Sequence, residues 1–410
     1  MNLVCKSILF NVDSSKNILY HECNNVKLIN TMIEREIFNE VQECLEKKKV
    51  AVIFGTRRVG KTTLMREVIK SYEAQGKNCF FIDCESARWK RLLDTTDDQV
   101  LGDIVKGVEL LAVDEAQTLE TIGKTLKIIH DTFPKVDIIA SGSSSFDLAN
   151  KLGEPLVGRM RRFFLYPFST EELRKSLGAY EVNYNVEKYL KYGMYPCVYG
   201  QTIKDMKIAL DELVSGYLYK DLLVFDGIQN SSEILALLRL LALQVGSEVS
   251  FNELANDLHI TANTVKKYID LLEKCFVIFT LPALSRNMRN EIAGHRTRKI
   301  YFYDMGIRNA LVEDFRDIGL RNDIGGVWEN FCTVELKKKA QREGRRPLYY
   351  FWRTSDQKEI DLIEEENGEF NVYEFKLNPN KKAKLPKGFA EHYNVKSFNV
   401  INKENWYKYF

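Results

Sequence analysis

The segment GTRRVGKTT, residues 55–63, constrains this chain more than any other feature. It matches the pattern G-x-x-x-x-G-K-[ST], follows the apolar run VAVIF and precedes a stretch with helical periodicity. Its glycines let the backbone curl so that N–H groups face phosphate oxygens, and the positive end of the following helix adds to that attraction. A strand, a phosphate-binding loop and a helix in this order predict that ATP or GTP binds here.

The residue types within this loop predict separate roles in binding ATP and Mg²⁺. Lys61 supplies a positive charge for the β- and γ-phosphates, and the Thr62 hydroxyl is a ligand for Mg²⁺. We expect the whole loop to contact the nucleotide. The predicted nucleotide-binding residues are Gly55, Thr56, Arg57, Arg58, Val59, Gly60, Lys61, Thr62 and Thr63.

Apolar strands alternate with helical stretches from a helix predicted at residues 28–48 to about residue 166. After VAVIF, the strand candidates are NCFFIDC, VELLAVDE and VDIIASG, and the helical stretches are 62–75 and 119–132. Continuous apolar strands of this kind are typical of a parallel sheet that helices cover on both faces. The first part of the chain is therefore predicted to be an α/β domain with the parallel sheet of a P-loop NTPase.

Polar and charged residues at the ends of these strands are candidates for catalysis. Asp114 is predicted to hold the metal shell, and Glu115 to act as a base or to orient the attacking water. In the run SGSSS, Ser143 is preferred to Ser141 as a γ-phosphate sensor, and a serine-rich turn is the alternative. Arg159 is a candidate arginine finger in trans or sensor in cis, unless it simply faces solvent.

After FLYPFS the pattern becomes mostly helical, which indicates a boundary near residue 170. Residues 250–281 predict two helices, capped by Ser250 and Thr261, and then a strand, as in a winged helix. A winged helix binds DNA in some proteins and only packs against protein in others. The candidate DNA contacts are Asn263, Thr264, Lys266, Lys267 and the basic loop 285–299.

Short strands return from residue 298 onward around a helix at 326–341, which indicates a separate mixed α/β unit. Three domains follow from these changes of pattern. We predict an ATPase domain, a helical region with the winged helix and a C-terminal mixed domain, at residues 1–169, 170–297 and 298–410.

Composition limits the partners and the compartment. The net charge is +2, so no global field attracts nucleic acid, and any basic surface must be local. The eight cysteines form no Cys-x-x-Cys pair, which fits reduced thiols in a cytoplasmic protein. The apolar run near the N-terminus is too short for a signal peptide, and no stretch approaches 18 apolar residues, so we expect no membrane partner.

Together, the P-loop, the D-E-x-Q run at 114–117, the SGSSS turn and the pair Gly158-Arg159 resemble the predicted AAA-type ATPases of bacteria and archaea. The resemblance covers nearly the whole chain and also implies the winged helix. It implies a C-terminal domain with a restriction-endonuclease-like, PD-(D/E)XK fold. Members often carry a GG-x-P segment; here residues 193–196 read GMYP, so Met194 replaces the second glycine.

That resemblance implies a second site in the last domain. In the restriction-endonuclease-like fold a helix carries an acid, one strand carries an Asp and the next strand carries Glu-x-Lys. The acids hold Mg²⁺, and the lysine supports the attacking water. This chain supplies Glu329, Asp361, Glu374 and Lys376 in that order, although alternating charge on a strand is also typical of a solvated face.

Two functions remain open from the sequence. In one, ATP hydrolysis drives an enzyme that cuts or remodels DNA. In the other, the ATPase is a nucleotide-controlled switch whose later domains bind a protein or a nucleic acid without cutting it. The oligomeric state and the pathway stay open as well.

Overall fold

A computed structural model of the 410-residue chain describes residues 32–142, 151–218, 231–284, 298–354 and 356–410. The described strands are β1 (Val50–Phe54), β2 (Cys79–Asp83), β3 (Leu110–Asp114), β4 (Asp137–Gly142), β5 (Met160–Phe164), β6 (Glu248–Val249), β7 (Ile278–Pro282), β8 (Arg298–Phe302), β9 (Leu348–Arg353), β10 (Glu359–Glu366), β11 (Glu369–Phe375) and β12 (Val395–Ile401).

Helices connect these strands and make up most of the middle of the chain. The described α-helices are α1 (Phe38–Glu46), α2 (Lys61–Glu73), α3 (Ala87–Leu93), α4 (Asp98–Ile104), α5 (Ile122–Thr132), α6 (Thr170–Leu177), α7 (Ala179–Tyr184), α8 (Val186–Tyr192), α9 (Ile203–Glu212), α10 (Ser231–Leu243), α11 (Phe251–Leu258), α12 (Ala262–Lys274), α13 (Met305–Leu311), α14 (Ile324–Arg342) and α15 (Lys387–Ala390). Within the described residues, no helix combines the length and the apolar character that crossing a membrane requires.

The first unit is built on five parallel strands in the order β2-β3-β4-β1-β5. Strands β1, β3 and β4 are buried along their whole length, which explains why their sequences are continuous apolar runs. Helix α2 packs on one face through Leu64 and Val68, and α5 packs on the other through Leu126 and Ile129. The predicted parallel sheet with helices on both faces is confirmed.

The middle unit contains the predicted helix, turn, helix and strand. Ser250 caps α11 by accepting from Glu253 N, and Thr261 caps α12 by accepting from Thr264 N, as the sequence predicts. His259 makes the turn between them with φ 55°. Strand β8 then pairs antiparallel with both β6 and β7, which closes a small three-stranded sheet beside the two helices.

The last unit is a four-stranded sheet in the order β12-β11-β10-β9, with β11 and β12 parallel and the other pairs antiparallel. Helix α14 packs against this sheet and is buried on almost every side. Its Glu335 accepts from the backbone N–H and the hydroxyl of Thr170, both at 2.7 Å, and its Lys338 donates to Phe168 O at 2.9 Å. The last unit is therefore docked on the first.

Two sequence predictions need correction in the fold. The helix predicted at 28–48 is shorter where it is described, since α1 begins at Phe38, residues 36–37 form a turn and residues 32–35 have no regular structure. The strand of KIYFYD, assigned to a third domain beginning at 298, belongs to the middle sheet as β8. An apolar strand has the same pattern whichever sheet it joins, so its sequence could not reveal its partner.

Candidate nucleotide site and C-terminal carboxylate cluster

The loop at residues 55–63 joins the carboxyl end of β1 to the start of α2, as the motif requires. Gly60 has φ 99° and ψ 21°, a left-handed conformation that glycine adopts without strain. A Cβ on Gly55 would overlap the carbonyl oxygen of Leu165, so the loop also needs glycine there. Lys61 is buried, and its Nζ donates to Gly55 O and Thr56 O, both at 3.0 Å, so the loop wraps its own lysine.

The other loop residues have different surroundings. Arg57 Nη1 lies 3.5 Å from Glu85 Oε1, and Arg58 Nη1 donates to Glu212 Oε2 on α9 at 2.8 Å. Val59 is fully buried, while Thr63 is exposed on α2. The loop arginines are therefore engaged by neighbouring carboxylates on both sides of the loop.

Asp114 lies at the end of β3, beside the loop. Its Oδ2 accepts from the Thr62 hydroxyl at 2.6 Å, and its Oδ1 accepts from Glu115 N at 3.1 Å and from the hydroxyl of Ser141. A carboxylate and a threonine hydroxyl are the oxygen ligands that Mg²⁺ takes from a phosphate site, where phosphates and waters complete the shell. No group of three or more His, Cys, Asp and Glu side chains suited to a metal ion occurs in the described part of the chain. Thr62 and Asp114 thus fit Mg²⁺ only with a bound nucleotide.

Glu115 adopts an uncommon backbone conformation at this edge of the sheet. Its φ of 50° and ψ of 42° are left-handed, which costs a non-glycine residue on the order of 1 kcal/mol. Its carboxylate accepts from Gln117 Nε2 at 2.5 Å, so the D-E-x-Q run orients its own acid. The two carboxylates thus have different hydrogen-bond partners, which suits them to different roles.

Ser141, which the sequence prediction placed second to Ser143, is buried against Asp114. Ser143, the preferred sensor, lies outside the described residues. Ser141 is still inside β4, whose neighbour β3 carries Asp114, and adjacent parallel strands bring such residues side by side. The order of strands in the sheet, which the sequence does not reveal, was the missing information.

Arg159 does not lie at the nucleotide site of its own chain. Its carbonyl oxygen accepts from Val50 N at 2.9 Å, at the amino end of β1, whereas the phosphate-binding loop leaves from the carboxyl end. Five residues of strand separate the two ends by about 15 Å. The guanidinium pairs with Asp131 at 2.8 Å. The prediction of a sensor acting in cis is therefore wrong, and a finger acting in trans stays a prediction.

Two residues that sequence reasoning missed hold the loop from outside. Arg35 is buried; it donates to Val59 O at 2.7 Å, to Tyr166 O at 2.5 Å and to the Glu172 carboxylate at 2.9 Å. Tyr195 reaches the loop from the GMYP segment. Neither the GMYP segment nor the sequence around Arg35 indicates a contact with the loop, because each residue lies far in sequence from the atoms that it contacts.

The four residues predicted for the C-terminal site lie in one region. Lys376 Nζ is 2.7 Å from Glu374 Oε2 and 3.3 Å from Asp361 Oδ2, and Asp361 also accepts from Phe375 N at 2.8 Å. Glu329 is held differently: its Oε1 accepts from Tyr301 at 2.6 Å and from Lys299 at 2.7 Å. We call these residues, with Glu359, the carboxylate cluster; its members are Lys299, Tyr301, Glu329, Glu359, Asp361, Glu374 and Lys376.

Burial governs the protonation of the carboxylate cluster. Burial raises the pKa of Glu329 to about 7 against the opposing charge of Lys299. Burial and the Asp361 carboxylate raise the pKa of Glu374 to about 7, against Lys376. Both acids therefore exchange protons near neutral pH unless another positive charge holds them ionised.

Lys299 is a second cation of the cluster that the sequence assigned elsewhere. The sequence predicts it as part of the basic loop 285–299, a candidate DNA contact. In the structure Lys299 is buried, with Nζ 2.7 Å from Glu329 and 2.6 Å from Glu359. Burial alone would lower its pKa, but the nearby carboxylates outweigh that effect and raise it. Lys299 is therefore unsuited to contact a phosphate backbone, and residues 285–297 of that loop lie outside the described residues.

Comparison with known proteins assigns three successive matches to this chain. The AAA domain family model matches residues 47–174, which include the loop, Asp114 and Glu115. Two domains of unknown function, DUF8612 and DUF4143, match residues 183–322 and 324–407. The first match supports an AAA-type ATPase.

Relatives from distant organisms align along most of the chain. An uncharacterized protein of Mycobacterium tuberculosis is 27% identical over 349 residues, covering 83% of this chain and 73% of the relative. An uncharacterized protein of Methanocaldococcus jannaschii is 24% identical over 406 residues, covering 92% and 86%. Among solved structures, AMPPCP-bound DnaA from Aquifex aeolicus aligns with a TM-score of 0.31 and 19% identity, over 60% of this chain and 90% of that chain.

Proposed function

We propose that this protein binds ATP with Mg²⁺ at residues 55–63 and hydrolyses it. The observation that carries the proposal is the 2.6 Å hydrogen bond between the Thr62 hydroxyl and Asp114. It brings two oxygen ligands suited to Mg²⁺ to the start of α2, where the phosphates would lie. The AAA domain match over residues 47–174 supports the same conclusion.

Each residue has a distinct part in the proposed reaction. Lys61 leaves the carbonyls of Gly55 and Thr56 and turns towards the β- and γ-phosphates. Glu115, oriented by Gln117, accepts a proton from the attacking water or holds that water in line. When bound, Mg²⁺ neutralises charge that develops on the phosphate oxygens.

Two substitutions test the ATPase by separating binding from hydrolysis. Lys61→Ala should abolish binding of a fluorescent ATP analogue, because the main phosphate charge partner is lost. Glu115→Gln should bind ATP normally and release phosphate about 10²–10⁴-fold more slowly, because only the water-activating group changes. Glu120→Gln is the control, since Glu120 is an exposed acid nearby that pairs with Lys151. Hydrolysis at the wild-type rate by Glu115→Gln would remove Glu115 from this role.

The carboxylate cluster favours a second function, a metal-dependent nuclease. The supporting observation is the convergence of Asp361, Glu374 and Lys376, with Lys376 Nζ 2.7 and 3.3 Å from the two carboxylates. In this proposal Asp361 and Glu374 hold Mg²⁺ together with phosphate and water oxygens, since no group of three such ligands occurs in the described residues, and Lys376 stabilises charge at the phosphate. The restriction-endonuclease-like fold belongs to this proposal as well.

Cleavage assays with Mg²⁺ or Mn²⁺ on duplex, branched and single-stranded DNA test this function. Asp361→Asn and Glu374→Gln should abolish cutting and leave ATP hydrolysis intact, because the two sites lie in different units. Glu369→Gln, an exposed acid on the same strand as Glu374, is the control. The nuclease proposal fails if the wild-type protein cuts no DNA and a crystal soaked in Mn²⁺ shows no ion at Asp361 and Glu374. The C-terminal unit would then be a binding module, which favours the nucleotide-controlled switch.

The helices α11 and α12, with the sheet of β6, β7 and β8, support a winged helix that contacts DNA. Lys266 and Lys267 are both exposed near the start of α12, the position from which a recognition helix enters the major groove. Replacing both lysines by alanine should weaken DNA binding and reduce its salt dependence by a slope of about 2. No DNA binding by the wild-type protein at low salt would instead favour a protein partner.

A further inference from the structure

The GMYP segment, residues 193–196, contacts the phosphate-binding loop although it lies outside the AAA domain match. The hydroxyls of Tyr195 and Thr56 share a hydrogen bond with their oxygens 2.8 Å apart, and Tyr195 is 5% exposed. A Cβ built on Gly60 would also lie 4.0 Å from Pro196 Cγ. The neighbouring unit thus supplies a buried polar group to the nucleotide site.

The segment is fixed at its other end by Asp304. Gly193 has φ 72°, and a Cβ there would overlap the Asp304 carboxylate. Asp304 Oδ2 accepts from Met194 N at 2.7 Å, and Met194 O accepts from Phe168 N at 3.0 Å. With both backbone groups of Met194 bonded, the adjacent Tyr195 has little freedom to move independently of Asp304.

Asp304 also connects the segment to the rest of the chain. Its Oδ1 caps α13 by accepting from Gly306 N at 2.8 Å and from Ile307 N at 3.2 Å. It follows β8, whose Phe302 exchanges two hydrogen bonds with the Asn330 side chain on α14, at 2.7 and 2.8 Å. Glu329 of the carboxylate cluster immediately precedes Asn330 on α14. Hydrogen bonds and short stretches of backbone therefore run from Thr56 to that cluster.

Nucleotide binding would change the hydrogen bonds of Thr56. Its carbonyl accepts from Lys61, and its hydroxyl bonds Tyr195. If ATP binds as proposed above, on which this inference rests, Lys61 turns away from the Thr56 carbonyl, and the Tyr195 contact becomes the main restraint on Thr56.

We infer that Tyr195 is a positioning residue of the nucleotide site. Its hydroxyl holds Thr56 in the conformation that binds phosphate. Through Tyr195, nucleotide binding at the loop also affects Asp304 and the start of α13.

Equilibrium binding of ATP tests the positioning role. Tyr195→Phe removes only the hydroxyl and should weaken ATP binding about threefold to tenfold while the maximal rate of hydrolysis changes less than twofold. Thr56→Val should weaken ATP binding by a similar factor, and the double variant should bind ATP no more weakly than either single variant, since both substitutions remove the same contact. Tyr184→Phe is the control, because Tyr184 is 76% exposed and stacks on Tyr180. Unchanged affinity in Tyr195→Phe and Thr56→Val would overturn the positioning role.

Hydrogen exchange tests the connection to Asp304. In the wild-type protein, AMPPCP with Mg²⁺ should change the exchange rates of the Gly306 and Ile307 amides, and Tyr195→Phe at saturating AMPPCP should lose that change. If AMPPCP still changes the exchange of the Gly306 and Ile307 amides in Tyr195→Phe, the connection from Tyr195 to Asp304 is overturned. If Tyr195 had only a structural role, Tyr195→Phe would not remove this response to AMPPCP. Failure of the proposed ATPase would appear differently, as no nucleotide binding by the wild-type protein.

Discussion

The hydroxyl of Ser141 on β4 donates to the carboxylate of Asp114 on β3, and this bond fixes the oxygen that Thr62 does not hold. Asp114 is therefore oriented from two directions before any metal arrives. Supporting contacts of this kind typically change metal affinity or activity 10- to 100-fold when they are removed.

Ser141→Ala should raise the Mg²⁺ concentration needed for half-maximal ATP hydrolysis about 10-fold to 100-fold. The reason is that Asp114 Oδ1 loses its side-chain donor and keeps only the bond from Glu115 N at 3.1 Å, so the carboxylate is held less firmly. A titration of hydrolysis rate against Mg²⁺ measures the change. Ser86→Ala is a suitable control on the same unit, because the Ser86 side chain makes no capping bond to α3. An unchanged Mg²⁺ requirement would contradict the orienting role.

Arg159→Ala should leave ATP hydrolysis unchanged at protein concentrations where the chain is monomeric, since the guanidinium pairs with Asp131 at the far end of the sheet. Asp131→Asn breaks the same ion pair and serves as the control. Rates measured over a range of protein concentrations, with light scattering in parallel, separate the alternatives. If Arg159→Ala lowers the hydrolysis rate only where the chain is oligomeric, and Asp131→Asn does not, Arg159 is a finger in trans. A lower hydrolysis rate of monomeric Arg159→Ala would contradict the geometry.

Lys299→Met should destabilise the C-terminal unit by about 3–5 kcal/mol, because Glu329 and Glu359 would lose a buried cation. Adding Glu329→Gln should recover part of the loss, since an uncompensated buried acid is then removed. Urea denaturation followed by tryptophan fluorescence measures both variants, and Trp328, Trp352 and Trp406 report on this unit. A double variant less stable than Lys299→Met would show that Glu329 needs no cation.

Lys337 predicts a pH dependence that can be isolated. It lies over the rings of Phe279 and Tyr349, with Nζ 4.6 and 4.5 Å from the ring centres, and burial lowers its pKa to about 8 although Glu273 and Glu364 oppose the shift. The unfolded chain, with a lysine pKa near 10.5, binds more protons between pH 8 and 10.5. Stability should therefore rise with pH across this window.

Comparison with Lys337→Met isolates that contribution. The free energy of unfolding of the wild-type protein should rise by roughly 1–3 kcal/mol more than that of the variant between pH 8 and 10.5. Methionine keeps the apolar stem between the two rings, so the packing is matched. Parallel curves for the two proteins would contradict the lowered pKa.

The local features of the first unit were predictable because short-range chemistry specifies them. The apolar runs of β1, β3 and β4 and the glycines of the loop each record a local requirement for burial or for a backbone conformation. The caps Ser250 and Thr261 are equally local. For the same reason Thr62 and Asp114, each attached to a predicted strand end or helix start, were placed in the site from the sequence.

Contacts between distant segments were not predictable in the same way. Tyr195, Arg35 and Lys299 act through partners more than 20 residues away, and neither the GMYP segment nor the basic loop has a pattern that identifies those partners. Arg159 illustrates the opposite error, because its sequence neighbourhood resembles a finger while the register of β5 against β1 puts it at the wrong end of the sheet.

Strand β8 restricts how the C-terminal unit could be exchanged for another. It is hydrogen-bonded into the middle sheet, yet Lys299 and Tyr301 on it bind Glu329 of the last unit. If a different C-terminal unit were joined before β8, the middle sheet would lose the strand that pairs with β6 and β7. If it were joined after β8, Lys299 would face the carboxylates of the incoming unit instead of Glu329. An incoming C-terminal unit would therefore need acceptors placed where Glu329 now binds Lys299 and Tyr301.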